Sequence, residues 1–174
     1  MTSNHIPEVL RNLALPVIGS PLFIASGPKL VAAQCKAGIV GSFPALNARP
    51  AELLDTWLTD LKAELAAYKE ANPDAIIGPI AVNQIVHQSN TRLADDVAMC
   101  VKHQVPIIIS SLRAPPKEML DAIHSYGGAR SEEMMMGTWC LTHMATSSAS
   151  RVLDWCTIWL TAMGPMIASG LASL

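Results

Sequence analysis

Short apolar runs alternate with helix-like segments along the first two thirds of the chain, and this alternation constrains the fold more than any other feature. Apolar runs of strand length occur at 16–24, 39–43, 75–86 and 105–111. Strands that alternate with helices form parallel sheets, because each helix returns the chain to the same end of the sheet. The sequence therefore predicts an α/β fold made of consecutive βα units.

Helix signals fill the segments between these runs. Leucines recur at three- and four-residue intervals within 50–70, which is the clearest helix pattern of the sequence. Another helix is expected to begin after Ser26, interpreted as its N-cap, and to end at Gly38. Two more helices are expected, at 90–103 and 117–128.

Composition limits the classes of protein to which the chain can belong. Of its 174 residues, 51% are apolar and 15% charged, which is enough for one sizeable core. The net charge of -2 offers no field that attracts a polyanion, so nucleic-acid binding is not expected. The four cysteines have neither C-x-x-C nor metal-site spacing, as is typical of reduced, buried thiols. The amino terminus lacks a secretion pattern, and we expect a cytoplasmic protein without a metal site.

The character of the sequence changes after residue 128, which divides the chain into an amino-terminal portion, 1–128, and an atypical segment, 129–174. The second segment holds six of the nine methionines and three of the four tryptophans but no lysine. Residues 155–174 carry no charge, yet they contain many serines and threonines and the proline Pro165. These residues favour a buried or poorly ordered tail over a membrane span.

Three segments occur in a specific order: S-P-L-F at 20–23, A-G-I-V-G-S-F-P at 37–44 and I-A-V-N at 80–83. Together they resemble the nitronate monooxygenase family, also called 2-nitropropane dioxygenases, over about residues 10–128. The resemblance implies an FMN-dependent (βα) barrel with its ligand at the carboxyl ends of the strands. A complete barrel takes about 250 residues. This shorter chain is therefore expected to form an incomplete TIM-type barrel.

The resemblance also implies which residues hold FMN. Leu22 takes the place of a family methionine that lies against the flavin, and Asn83 matches an asparagine that hydrogen-bonds the FMN. Within M-G-T, Gly137 and Thr138 match a segment that helps to hold the FMN phosphate. Trp139 replaces the family's arginine after that segment, which puts this last match in doubt.

The segment 42–50, S-F-P-A-L-N-A-R-P, leaves the expected second strand and enters a loop. By the resemblance it forms part of the wall around the flavin or substrate; the alternative is that its apolar residues only pack over the barrel mouth. Arg49 and Lys36 are the nearest cations and could attract an anionic nitronate or a phosphate, although surface solvation is the favoured role of Lys36. Asp95 and Asp96 are interpreted as an exposed helical face rather than as paired catalytic acids.

The family's catalytic base is a histidine in a His-Ala-Gly step, and none of the five histidines here precedes Ala-Gly. The catalytic residue is therefore unknown. His87, four residues after Asn83, is a weak candidate for proton abstraction, and the alternative is a solvated loop histidine. His103 and His124 lie near expected helix ends, where the helix dipole accounts for them.

The resemblance predicts an FMN-dependent oxidoreductase that oxidises alkyl nitronates with O2 to a carbonyl compound and nitrite. Two alternatives remain open: a non-catalytic truncated remnant of the family, and a flavin-dependent enoyl reductase. An incomplete barrel would expose a strand edge and an apolar face. We therefore also expect the chain to associate into a homo-oligomer.

Overall fold

A computed structural model describes residues 8–127 of the chain. Within that range the fold is mixed α/β, as expected, with a parallel sheet of three strands and five helices. The elements in chain order are α1 (Glu8–Arg11), α2 (Pro28–Lys36), β1 (Gly41–Pro44), α3 (Leu53–Ala71), β2 (Ile80–Ile85), α4 (Leu93–Lys102), β3 (Ile107–Ser111) and α5 (Lys117–His124). A 3₁₀ turn, Ala45–Asn47, follows β1 directly.

The three strands lie in the order β1-β2-β3, and both pairs are parallel. They confirm the strands expected at 39–43, 75–86 and 105–111, with different bounds. In this register Asn83 of β2 lies level with the last residue of β1. Because all strands run in one direction, the loops that follow them meet at one edge of the sheet, here called the carboxyl edge.

The two faces of the sheet carry different clusters, since successive side chains of a strand point to opposite sides. On the helix-covered face, Phe43, Val82 and Ile108 join a core with residues of α2, α3, α4 and α5. The opposite face carries a smaller cluster, against which side chains of α1 and the residues after it pack. That cluster consists of Ile18, Val40, Ala81, Ile107 and Ile109, with Val9, Leu10 and Leu13 against it.

Helix α3 confirms the expectation for 50–70 most closely, because its leucine spacing produces one apolar stripe. Leu54, Leu58, Leu61 and Leu65 are all buried along it. Burial of each such side chain stabilises the fold by about 2 kcal/mol. The expected fourth and fifth helices are also confirmed, as α4 and α5, while α1 is a short helix that the sequence pattern did not predict.

The strand expected over 16–24 is wrong. Only Ile18 pairs there, in a single parallel bridge with Val40 beside β1. Pro16 and Pro21 flank this bridge and have no N–H group to donate to a neighbouring strand. The segment therefore forms one bridge beside β1 and then continues as a loop.

The N-cap expected at Ser26 is also wrong. The N-cap of α2 is Gly27, and no side chain caps it. The Ser26 hydroxyl is used within its own loop instead: it accepts from the Leu22 N–H at 2.9 Å and donates to the Ser20 carbonyl at 3.2 Å. The expected helix stop is confirmed, since Gly38 follows α2 with a φ of 79°, a conformation that favours glycine.

Several expectations lie outside the described residues. They concern the domain boundary after residue 128, the segment 129–174, the FMN-phosphate residues Gly137 and Thr138, and the uncharged stretch 155–174. Within residues 8–127, no helix has both the length and the apolar character needed to cross a membrane.

Candidate functional site

Four loops meet at the carboxyl edge of the sheet. They are 19–27 after the Ile18 bridge, 45–52 after β1, 86–92 after β2 and 112–116 after β3. Ligands of parallel α/β folds bind at this edge, because the loops there are free to vary while the strands hold them in place. The expected site residues Leu22 and Asn83 both lie towards this edge, so the fold brings them to the same end of the sheet.

Asn47, at the end of the turn after β1, binds the backbone of loop 19–27 at three points. Its Nδ2 group donates to the Leu22 carbonyl at 3.0 Å and to the Ser26 carbonyl at 2.9 Å. Its Oδ1 atom accepts from the Ile24 N–H at 3.0 Å. One amide side chain thus bonds the loop backbone on both sides of Ile24.

Loop 19–27 presents three consecutive apolar side chains to solvent, Leu22, Phe23 and Ile24, which we call the apolar tip. They are 47%, 56% and 83% exposed, respectively. Ile24 has a φ of 68°, a left-handed conformation that is strained for a β-branched residue. The Arg49 guanidinium lies over the Phe23 ring, 5.2 Å from its centroid.

Asn83 was expected at the end of a strand. It lies inside β2 instead. It is only 4% exposed and faces the side of the sheet that carries Ala81, away from α2 to α5. Its Oδ1 atom accepts from the Ser111 hydroxyl at 2.6 Å. Among residues 8–127 no acceptor for its Nδ2 group is found. The side chain is therefore held by Ser111 near the carboxyl edge.

The first residues of segment 42–50 serve packing rather than a ligand wall. Phe43 is fully buried and meets Trp57 edge to face, with ring centroids 5.6 Å apart. The Ser42 hydroxyl is buried and donates to the Gly19 carbonyl. Phe43 thus packs in the core between the sheet and α3. Later residues of the segment, Asn47 and Arg49, contact the apolar tip.

His87 lies in the loop after β2, as expected, and its ring is bonded within that loop. The Ser89 N–H donates to His87 Nδ1 at 3.1 Å, and Ser89 Oγ lies 2.7 Å from the same nitrogen. Nδ1 is therefore engaged within this loop. The catalytic role of His87 stays a prediction.

Lys36 does not lie near the carboxyl edge. Helix α2 begins at that edge and runs back along the sheet, so its last residue lies at the opposite end. There Lys36 pairs with Glu64 at 2.6 Å and lies over the Tyr68 ring. The expectation that it is one of the cations nearest the site is wrong, whereas Arg49 does lie at that edge.

Arg92 ties the start of α4 to the loop after β1. Its Nη1 group donates to the Ala48 carbonyl and its Nη2 group to Asp96 Oδ1, both at 2.8 Å. Asp96 is 3% exposed, and burial raises the pKa of its carboxyl group despite the bond from Arg92. The expectation that Asp95 and Asp96 share an exposed face is therefore wrong for Asp96, which is buried and accepts from Arg92.

A shallow groove of about 540 Å³ lies away from this site, between α3 and the segment before β2. Residues that line it include Asn12, Leu65, Asp74 and Ile76, together with Lys69. The Lys69 ammonium group already donates to two backbone carbonyls of the same segment. We assign no chemistry to the groove.

Three residues of the carboxyl edge were not anticipated: Asn47, Ser111 and Arg92. Each acts on a partner distant in sequence, so spacing along the chain carries no sign of it. The one available signal was the polar Asn47 in an otherwise apolar turn after a strand, a position where asparagine often binds loop backbone.

Comparison with protein-family models finds none that matches the chain, and comparison with curated proteins finds no match either.

Proposed function

We propose that the chain is an FMN-dependent oxidoreductase similar to nitronate monooxygenases, folded as an incomplete TIM-type (βα) barrel. The observation that carries the proposal is the Asn83 side chain near the carboxyl edge, which is 4% exposed and is held at Oδ1 by the Ser111 hydroxyl. Support also comes from the parallel βα units and from the apolar tip at the same edge, which includes Leu22. The three sequence segments that resemble the family lie in loop 19–27, in β1 with the residues before it, and in β2.

Asn83 and Leu22 fit the flavin in different ways. The Ser111 hydroxyl occupies Asn83 Oδ1 and so fixes the amide, which leaves Nδ2 to donate to an acceptor on the isoalloxazine ring. Leu22 offers an exposed apolar surface to the ring face. The phosphate would bind at Gly137 and Thr138 if the family pattern holds there.

FMN, when bound, supplies the electron acceptor for oxidation of an alkyl nitronate, and O2 completes the conversion to a carbonyl compound and nitrite. A nitronate is already deprotonated at carbon, so its oxidation requires no base from the chain. A neutral nitroalkane must first lose a proton. His87 Nδ1 is bonded within its own loop and is not free to take that proton. We therefore expect the preformed nitronate to be the substrate.

The test is nitrite release by the purified chain in the presence of FMN and O2. We expect activity with a preformed alkyl nitronate and at least about tenfold less with the neutral nitroalkane at the same pH, because general-base catalysis contributes factors of that size or more. Asn83→Ala should lose activity, and Asn72→Ala, at the far end of α3, should retain it.

The alternative functions give different results in the same experiment. A truncated remnant would bind no flavin and release no nitrite. An enoyl reductase would instead oxidise NADPH when given an enoyl thioester. Either result would contradict the proposal.

A further inference from the structure

We infer that Asn47 is a positioning residue that holds the apolar tip in the conformation that contacts bound flavin. The inference rests on the proposed function for the identity of the ligand. The ordering of the tip by Asn47 is a separate property that can be measured without any ligand.

The contacts of Asn47 are distributed along the whole tip. The side chain bonds the N–H of the strained residue, Ile24. It also bonds the Leu22 carbonyl, two residues before Ile24, and the Ser26 carbonyl, two residues after it. Both the donor and the acceptor of the amide are used. A residue that capped only its own turn would need one such bond.

The bond to the Ile24 N–H is the most informative contact. An isoleucine in the left-handed region is strained and persists only when its surroundings enforce it. The conformation also leaves the Ile24 side chain 83% exposed. Neither property favours the free loop in water, so both are expected where a loop is ordered in advance for a ligand.

Asn47 acts together with braces that do not depend on it. Within loop 19–27 the Ser26 hydroxyl binds both Leu22 and Ser20. The Arg49 guanidinium lies over Phe23 from outside the loop. Removal of the Asn47 amide should therefore loosen the tip without unfolding the chain.

The experiment compares Asn47→Ala with the wild type and with Asn72→Ala, whose amide donates to the Tyr68 carbonyl at the end of α3. Hydrogen exchange at the Ile24 amide should become at least about tenfold faster in Asn47→Ala, since this amide loses its acceptor. The dissociation constant of FMN should rise at least about tenfold as well. Asn72→Ala should change neither quantity.

A conservative variant separates the contacts. Asn47→Asp keeps the oxygen that accepts from Ile24 but loses both bonds to the carbonyls, so exchange at the Ile24 amide should stay closer to the wild type than in Asn47→Ala. An increase equal to that of Asn47→Ala would overturn the assigned role of the Ile24 bond.

Two results would overturn the inference itself. Unchanged exchange at Ile24 in Asn47→Ala would show that Asn47 does not order the tip. Faster exchange with unchanged FMN affinity would show that tip order does not serve flavin binding. If the wild type binds no FMN, the proposed function fails and takes the flavin contact with it, while the exchange rate still decides whether Asn47 orders the tip.

Discussion

Asn47 and Asn83 are both asparagines near the carboxyl edge, yet their side chains have different surroundings. Both the donor and the acceptor of the Asn47 amide bond the backbone of another loop. Asn83 is held by one serine hydroxyl, and its Nδ2 group finds no acceptor among residues 8–127. At the scale of single residues, the bonds of Asn47 indicate a residue that shapes the site, and those of Asn83 indicate a residue that can bind a ligand.

Gly78 provides a residue-scale test of the packing before β2. A Cβ atom at this position would lie 1.8 Å from the Ile39 carbonyl oxygen and 2.4 Å from its carbon. Both are backbone atoms that cannot rotate away. We predict that Gly78→Ala lowers the free energy of unfolding by at least about 2 kcal/mol, measured by urea denaturation.

Gly27→Ala is the matched control, since a Cβ atom there meets nothing within 4 Å. Its cost should stay below about 1 kcal/mol, the scale of an N-cap change. Equal costs for the two variants would contradict the described contact between Gly78 and Ile39.

The buried thiols allow a second residue-scale prediction. Burial raises the pKa of Cys35 to about 11 and that of Cys100 to about 12. Since the thiolate is the reactive form, alkylation of these residues in the native protein should be on the order of 100-fold slower than in urea at neutral pH. Peptide mapping by mass spectrometry measures each site separately. Complete labelling of either thiol within minutes in the native state would contradict the burial.

At the scale of elements, α3 and α4 are joined by an ionic cluster around Asp55. Lys102 Nζ lies 2.9 Å from Asp55 Oδ1, and His103 Nε2 lies 2.5 Å from the same oxygen. The hydrogen bonds from Lys102 and then from His103 lower the pKa of Asp55 below its ordinary value of 3.8. A lowered pKa stabilises the fold above that ordinary value, and the stabilisation is lost as pH falls through the folded-state pKa.

Asp55→Asn should therefore be less stable than the wild type at about pH 6, and the difference should shrink as the pH falls below about 4. Urea denaturation at a series of pH values measures it. Asp60→Asn, on the exposed side of the same helix, is the control and should show no such trend. A wild-type advantage that is constant down to about pH 2.5 would contradict the ionic contact.

The elements differ in how far the sequence could predict them. The leucine spacing of α3 is complete within one segment, so its position followed from sequence alone. The Ile18 bridge depends on Val40, and the Ser26 hydroxyl depends on the path of its own loop, so neither followed from local pattern. The shared edge of Leu22 and Asn83 could be predicted because parallel strands end together, but the bonds of Asn47 required the three-dimensional path of a second loop.

At the scale of the whole molecule, β3 pairs only with β2 within the described residues. Leu112, directly after β3, is 49% exposed, and the apolar tip is exposed as well. An unpaired edge with exposed apolar side chains promotes association between copies. We predict that light scattering gives a mass at least twice the 18.6 kDa of one chain, whereas a monodisperse species of 18.6 kDa would contradict this expectation.

The proposed function of the whole molecule depends on whether FMN binds at the carboxyl edge. The most direct measurement is a titration of the full chain with FMN, followed by flavin fluorescence, for the wild type, Asn83→Ala and Asn72→Ala. We predict saturable binding of about one FMN per chain, with a dissociation constant at least about tenfold higher for Asn83→Ala and unchanged for Asn72→Ala. Absence of saturable binding, or equal binding by all three proteins, would contradict a flavin site at Asn83.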